Sequence, residues 1–317
     1  MHKADSIGYS TDLCVFFSVQ GRALSAYLKS TGEATMGGLT LLLAIREAES
    51  PVSAEQLADF LFLGVRTVRN MLLSFEDAGL VHKDSNQHDA RVFTAALTDE
   101  GLAVTDRLAS GVYEVLKRCF WEALPEEDFQ EVMKSDMRLC LNCVRGCAVD
   151  PFGDHSKTVL PIEVDHLIFW RVVKDRWETI VRDKAEISLI GANVLHYVCE
   201  HDTSTISDIA QALISPKSAI SLGVKRLREM GLLDKAACAN DQRSNDIFPT
   251  ERGVSLDRSL FALLDDETRA FHMGVNESEL GVIKAWYVRM FANMRRNDCL
   301  SLLRFGLCGH AWLLRKM

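Results

Sequence analysis

Apolar residues recur along most of the chain at the three- and four-residue spacing that predicts amphipathic helices. The two clearest stripes comprise Val65, Val68, Leu72 and Phe75 in the first half and Ile220, Val224 and Leu227 in the second. Each stripe ends at a glycine, which is Gly79 or Gly231, and is followed by a short apolar run, a polar stretch and a second short run. This order predicts a helix that ends at a glycine and leads into a two-stranded hairpin, twice along the chain.

Further helical stripes flank these two regions. In the first half they cover residues 13–29, 35–48, 53–60, 101–119 and 126–147, and in the second half 164–182, 188–199, 207–213, 253–273 and 277–297. The serines that open the short helices, Ser53 and Ser207, are candidate N-caps. Ser215-Pro216 is expected to open the second clear stripe with a capping hydroxyl and a proline at the first helical position. The predicted fold class is mainly α with small β-wings.

The two halves repeat with an offset of 152 residues. Residues 57–101 align with 209–253 without a gap and share nine identities in 45 positions. The identical pairs are Ala58/Ala210, Leu61/Leu213, Gly79/Gly231, Leu80/Leu232, Lys83/Lys235, Asp89/Asp241, Arg91/Arg243, Thr98/Thr250 and Gly101/Gly253. We therefore predict one domain at residues 1–150 and a second copy at 163–317. Residues 151–162, which contain two prolines and a glycine, form the predicted linker.

The predicted hairpins carry the most specific motif. Asp89-x-Arg91 is followed by Leu97-Thr98-x-x-Gly101, and Asp241-x-Arg243 is followed at the same spacing by Thr250 and Gly253. With the Gly-Leu that ends each preceding helix, this pattern resembles the multiple-antibiotic-resistance regulator (MarR) family. The second copy has Pro249 where the family has leucine, and proline is expected to shorten the return strand because it cannot donate to a ladder.

The resemblance implies two winged helix-turn-helix domains whose long helices form an intramolecular pseudo-dimer. MarR-like dimers interlock their first and last helices and place two recognition helices in successive major grooves. A fused chain would act as a monomeric pseudo-dimer on double-stranded DNA, binding an imperfect palindromic operator as a repressor. The family also implies a small aromatic or phenolic effector, for which the aromatics of the first helices (Phe16, Phe17, Tyr27, Phe169, Trp170 and Trp177) are candidate lining residues, although core packing is the commoner role of such residues.

Candidate DNA-binding residues lie on the predicted recognition helices and wings. In the first copy they are Arg66, Thr67, Arg69, Asn70, Lys83 and Arg91, and in the second Lys217, Ser218, Ser221, Lys225, Lys235 and Arg243. Asp89 and Asp241 would orient the wing arginines, whose guanidinium groups suit phosphate or a narrow minor groove. The first set is rich in donors that read base edges, and the second is suited to phosphate. Solvated helix faces, surface ion pairs, or loss of DNA binding by one half remain alternatives.

Charge and composition limit the other function classes. The net charge of −8 argues against a uniformly basic surface, and it falls entirely in residues 1–152, which have 14 Lys and Arg against 22 Asp and Glu. No apolar run is long enough to span a membrane and no export signal opens the chain, so a cytoplasmic location is expected. Phosphate-loop, nucleophile-elbow and paired-carboxylate motifs are missing from the sequence, so we predict neither an enzyme nor a cofactor.

Two other function classes stay open at this point. Cys140, Cys143 and Cys147 share one face of a predicted helix, which suits a redox or metal sensor, although free cysteines more often pack as small hydrophobes and no metal site is predicted. The acidic first half also leaves open a winged-helix module that docks a protein partner.

Overall fold

The computed structural model describes residues 7–48, 50–86, 89–122, 164–237, 245–272 and 277–296. In the first half the elements are α1 (Thr11–Thr31), α2 (Met36–Glu47), β1 (Val52–Ser53), α3 (Ala54–Phe60), α4 (Val65–Asp77), β2 (Val81–Asn86), β3 (Asp89–Leu97) and α5 (Asp99–Leu116), which continues into a π-helical turn at Lys117–Trp121. The second half comprises α6 (Val164–Ala185), α7 (Leu189–His201), α8 (Ile206–Ala212), α9 (Lys217–Glu229), β4 (Leu233–Ala237), β5 (Asn245–Pro249), α10 (Glu251–Phe271) and α11 (Glu277–Arg296).

The predicted fold class is confirmed: the described chain is mainly helical, with small antiparallel sheets at the two wings. The first sheet has the strand order β1-β3-β2, and the second pairs β4 with β5. Among the described helices, none is long and apolar enough to cross a membrane. The predicted helix at 126–147 and the predicted linker at 151–162 lie outside the described residues.

Contacts divide the chain into two compact units. Unit 1 comprises Met1–Val19 and Val173–Lys284, and unit 2 comprises Gln20–Val172 and Ala285–Met317. Each unit therefore combines one helix-turn-helix and its wing with segments that are distant in sequence. The predicted domain boundaries concern the sequence repeat, and they stay a prediction.

Unit 1 packs its N-terminal segment around one buried tryptophan. Trp177 is fully buried, and Tyr9 and Phe17 meet its ring edge-on with centroids 5.0 and 5.4 Å away. Its Nε1 donates to Thr268 Oγ1 at 3.0 Å, while the Tyr9 hydroxyl donates to Asn193 Oδ1 at 2.8 Å. Such edge-on pairs stabilise a core beyond simple area burial, and both polar tips are satisfied.

In unit 2, two side chains satisfy main-chain carbonyls of residues that are distant in sequence. Asn293 of α11 donates both of its 2.8 Å amide hydrogen bonds to main-chain carbonyls, those of Phe120 and Glu122, at the end of the π-helical turn. Arg171 of α6 donates to the carbonyls of Leu61 and Phe62, in the turn between α3 and α4. Carbonyls that no helix can pair are thereby satisfied by side chains far along the chain.

Two of the predicted helix starts are wrong in detail. Thr205, not Ser207, is the N-cap of α8, because Asp208 lies three residues after it and completes a capping box. Pro216 is the N-cap of α9 rather than its first helical residue, and the Ser215 hydroxyl donates to the Leu213 carbonyl instead of capping the helix. Pro249 does not shorten its strand at this end, since β5 ends there just as β3 ends at the equivalent Leu97.

Candidate DNA-binding surface

The turn before each recognition helix has the same geometry in both units. Phe62 and Ile214, 152 residues apart, have φ values of 51° and 45°, a left-handed conformation that costs a non-glycine residue roughly 1–2 kcal/mol. In each turn a main-chain N–H reaches back five residues to a carbonyl, that of Ala58 at 2.9 Å and that of Ala210 at 3.0 Å. The short helix and the recognition helix are thus held at a fixed angle in each unit.

The short helices are anchored at their N-termini to the wing sheets. Ser53 and Gln56 form a reciprocal capping box in α3, as Thr205 and Asp208 do in α8. The residue before each cap joins the sheet: Val52 is paired with Ala95, and Ser204 forms a bridge with Ile247 at the equivalent position. The sequence repeat therefore has the same cap position and the same strand register in both units.

The first recognition helix, α4, separates its faces clearly. Val68, Leu72 and Phe75 are buried, whereas Arg66, Thr67 and Asn70 are exposed on the opposite side. Arg66 has no ion-pair partner within the described part of the chain. These three side chains are therefore accessible to solvent, and their contact with DNA stays a prediction.

Two other predicted residues of unit 2 are already paired. Arg69 lies 2.5 Å from the Glu55 carboxylate across the helix-turn-helix. The pKa of Glu55 is lowered, first by a hydrogen bond from its own main chain and then by the hydrogen bond and charge of Arg69. Lys83 on β2 pairs with Glu76 at the end of α4. Both cations therefore tie the recognition helix to its neighbours.

The second recognition helix, α9, has a more basic exposed face. It buries Ile220, Val224 and Leu227. The exposed residues are Lys217, Ser218, Ser221, Leu222, Lys225, Arg226 and Glu229. Lys217 Nζ donates to Ser207 Oγ of α8 at 2.8 Å, and Lys225 lies 3.8 Å from Glu229 within the helix. Counting Arg228, α9 has four cations against one anion, whereas α4 has two of each.

The base of each wing is locked to the recognition helix by one threonine. The Thr98 hydroxyl donates to the Gly79 carbonyl at 2.7 Å, and that of Thr250 donates to the Gly231 carbonyl at 2.8 Å. Both glycines have a positive φ, 72° and 69°, as predicted for residues that follow a helix. The strand that leaves each recognition helix consequently starts in a defined direction.

The first copy of the wing motif lies on a strand. Asp89 is the first residue of β3, and Arg91 is the third. Asp241 and Arg243 lie outside the described residues, so the wing arginines and their orienting aspartates stay predictions. Lys235 on β4 is exposed, and its own N–H is bonded to Asp234 Oδ1 at 2.8 Å.

Unit 1 also contains a groove between α7 and α10 that the sequence patterns did not predict. Its volume is about 440 Å³, and Cys199, Glu200, Asp257 and Phe261 are among its lining residues. His196 Nδ1 lies 3.1 Å from both Asp257 oxygens, and its ring stacks on Phe261 at 4.3 Å. Burial alone would lower the pKa of His196, but the Asp257 hydrogen bond and charge outweigh it, so the pKa is raised.

The three described cysteines, Cys14, Cys119 and Cys199, do not have the surroundings of reactive thiols. Cys14 and Cys119 are buried, and burial raises the pKa of the Cys14 thiol. Burial, with the charges of Asp257 and Glu200, raises the pKa of Cys199 to about 12, so its thiolate is scarce at neutral pH. The described residues contain no group of three His, Cys, Asp or Glu that could hold a metal ion. Cys140, Cys143 and Cys147 lie outside these residues.

The aromatics considered for an effector cavity are core residues. Phe16, Phe17, Tyr27, Phe169, Trp170 and Trp177 are all at most 8% exposed. None of them lines the groove between α7 and α10.

Comparison with known proteins links part of the chain to one family. Residues 187–244, which include α9, match the model of the MarR family. Similar solved structures include a MepR–DNA complex of S. aureus, with 21% identity over 39% of this chain and 91% of that one and a TM-score of 0.36. The transcriptional regulator SlyA has 19% identity over 42% and 92%, with a TM-score of 0.38. NadR in complex with 4-hydroxyphenylacetate has 17% identity over 40% and 86%, with a TM-score of 0.34. No curated protein matches the chain.

Proposed function

We propose, on the premise that residues 187–244 match the model of the MarR family, that the protein is a DNA-binding transcriptional regulator, acting as a repressor. The observation that carries the proposal is the exposed face of α9. Lys217, Lys225 and Arg226 surround two small serines there, on a helix whose other side is buried. Cations on a convex helix, with small residues between them, suit phosphate contact on both sides of a groove while the helix centre meets base edges.

We further propose that both helix-turn-helix units belong to one DNA-binding chain produced by a tandem duplication. The same cap, turn and wing contacts recur 152 residues apart, at Ser53 and Thr205, Phe62 and Ile214, and Thr98 and Thr250. A monomer of this kind would bind an imperfect palindrome as a pseudo-dimer. Since α4 and α9 expose different side chains, the two half-sites would differ in sequence.

Genomic DNA selection with the purified full chain tests the function. Fragments with a common two-part sequence are the expected result, and a failure to enrich any fragment at low salt would favour the protein-docking alternative instead. Sedimentation of the complex then gives the number of chains on one operator. One chain is expected, and two would contradict the pseudo-dimer.

Charge variants of α9 test the proposed surface directly. Lys217→Ala with Lys225→Ala should weaken operator binding, and each lost phosphate contact should reduce the slope of log affinity against log salt by about 0.9. Lys174→Ala is the matched control, because Lys174 lies on α6 in the same unit and already pairs with Glu178 at 3.4 Å. Equal salt slopes for the double variant and the control would contradict a phosphate role of α9. Arg91→Ala with Arg243→Ala tests the wings in the same assay.

We propose that a small aromatic effector relieves DNA binding, and that its site in unit 1 is the groove between α7 and α10. Phe261 and the ring of His196 stacked on it supply a flat aromatic wall. The exposed charges of the lining are Glu200, Asp266 and Arg258, so the rim is acidic by one charge. An acidic rim disfavours carboxylates and phenolates, so a neutral or cationic aromatic compound fits better than an anion. Thermal-shift screening of matched aromatic amines and aromatic acids separates the two classes, and stabilisation by the acids alone would contradict this assignment.

A further inference from the structure

The two recognition helices differ at one exposed position that is structurally equivalent. Both α4 and α9 are 13 residues long, and both begin directly after the turn set by Phe62 or Ile214. The sixth residue is Asn70 in α4 and Leu222 in α9. Both side chains are exposed, and at 69% Leu222 is more exposed than any other large apolar side chain that the structure describes. The same place on the two helices thus presents an amide in one unit and an alkyl group in the other.

Leu222 is not an extension of the apolar core. The buried stripe of α9 runs through Ile220, Val224 and Leu227. Ser218, four residues before Leu222, and Lys225, three residues after it, share its exposed face. An isolated leucine among serines and cations gains nothing from the folded chain itself, since its surface stays in water.

The surroundings of Leu222 favour a polyanionic partner. Lys225 and Arg226, three and four residues after Leu222, share its exposed face, and Lys217 is exposed in the first turn of α9. The nearest acidic residue of the helix is Glu229 at its last position. An apolar face that seats a protein partner usually excludes charge from its centre, whereas a helix that enters a DNA groove combines cations with a few contacts to bases. The charge around Leu222 therefore matches duplex DNA.

The major groove offers one feature that a leucine can recognise. Each base pair displays hydrogen-bond donors and acceptors there, and only thymine adds an apolar group, the C5-methyl. An asparagine instead pairs its carboxamide with N6 and N7 of adenine. We propose that Leu222 selects thymine through its methyl group and that Asn70 selects adenine, so that this pair of equivalent positions makes the two half-sites different. This inference rests on the proposed DNA-binding function and specifies its base preference.

Base analogues in the selected operator test the assignment. Uracil lacks only the methyl group of thymine, so replacing thymine by uracil, one position at a time, should weaken wild-type binding about fourfold at one position of one half-site, as expected for one buried methyl. For Leu222→Ala the same replacement should have no effect, because the methyl has lost its partner. Leu263→Ala, an exposed leucine (39%) on α10 of the same unit, should respond to uracil as the wild type does.

The Asn70 half of the assignment has its own analogue. Replacing adenine by 7-deazaadenine removes the N7 acceptor and should weaken wild-type binding roughly fivefold to 150-fold at one position of the other half-site. Asn70→Ala should bind both operators equally. Circular dichroism of each variant checks that it is folded, which an exposed substitution should leave unchanged.

Four results would overturn the inference, each in a recognisable way. Wild-type binding that ignores uracil at every thymine excludes methyl recognition while leaving the DNA-binding function intact. Uracil sensitivity that persists in Leu222→Ala assigns the methyl contact to another residue. A change in the sedimentation coefficient of the free protein on Leu222→Ala shows that the leucine contacts a second copy of the chain. Failure of the wild type to bind any DNA overturns the proposed function itself.

Discussion

Replacement of Gly101 by alanine should destabilise unit 2 although it adds a better helix former. Gly101 is the third residue of α5 and lies against Leu80, which follows the end of the recognition helix α4. A Cβ at this position would lie 1.9 Å from the Leu80 carbonyl oxygen, whereas ordinary van der Waals contact begins near 3.4 Å. The obstruction is main chain, so no side-chain rotation relieves it. The equivalent Gly253 approaches the Leu232 carbonyl oxygen in unit 1 at 2.1 Å.

The size of the loss in the free energy of unfolding follows from the contacts that break when α5 moves away from Leu80. Separating α5 from Leu80 by more than an ångström breaks the Thr98 N–H bond to the Leu80 carbonyl (3.1 Å) and strains the Thr98 cap on Gly101 N (3.0 Å). Each such hydrogen bond contributes about 1 kcal/mol. Overpacking of a tight contact costs roughly 1–3 kcal/mol more. The alanine returns about 1 kcal/mol of helix propensity, so the net loss in the free energy of unfolding should be about 3 kcal/mol.

Urea unfolding followed by circular dichroism measures this change. Gly281→Ala is the matched control, because Gly281 also lies in a helix but has nothing within 4 Å of its Cβ position. The control should unfold at slightly higher urea than the wild type, and Gly101→Ala at clearly lower urea. If both variants shift upward together, the close approach of α5 to Leu80 does not exist and the shared wing geometry is misassigned.

Three further predictions concern unit 1. Burial lowers the pKa of His272, so its imidazole is neutral in the folded protein. The free energy of unfolding should therefore fall as the pH drops below about 6.5, where the imidazole of the unfolded chain gains a proton. Urea midpoints for the wild type and His272→Gln at pH 7.5 and 5.5 show whether His272 causes this pH dependence. The pKa of His196 is raised, so its contact with Asp257 stabilises the folded protein fully below about pH 6.5, and this stabilisation is lost as the pH rises through the higher pKa of the folded state. NMR titration should show a lower pKa of His196 in Asp257→Asn than in the wild type. Thr268→Val leaves the buried Trp177 N–H without its acceptor, and the free energy of unfolding, measured with heat or urea, should fall by roughly 1–3 kcal/mol. A fall below about 0.5 kcal/mol, which is the scatter of surface substitutions, would mean that the hydrogen bond is not formed.

Local patterns predicted the elements that later form the candidate site. Apolar spacing found both recognition helices, and Gly79 and Gly231 marked their ends because a helix commonly closes on a residue with positive φ. The errors are also local. Thr205-x-x-Asp208 is a capping box, which is a stronger signal of a helix start than the single Ser207, and it places the start of α8 correctly.

Contacts between distant residues were beyond these patterns. His196 and Asp257 are 61 residues apart on different helices, and nothing in the period of either helix indicates that they face each other. The pairing of Arg69 with Glu55 is likewise set by the angle of the helix-turn-helix, which periodicity does not contain. Periodicity identifies the buried side of a helix, but the partner on that side depends on the assembled core.

The positions that the two halves share and the positions at which they differ have different physical roles. Gly79 and Gly231, Thr98 and Thr250, and Gly101 and Gly253 are identical because each meets a steric or hydrogen-bonding demand of the local backbone, and both units have that same backbone. Asn70 and Leu222 face solvent, where the fold makes no demand on them. In a homodimer one gene sequence would force both recognition helices to change together. If both units bind DNA as proposed, a single chain is free of that constraint, and its two exposed helix positions can be selected separately for an asymmetric operator.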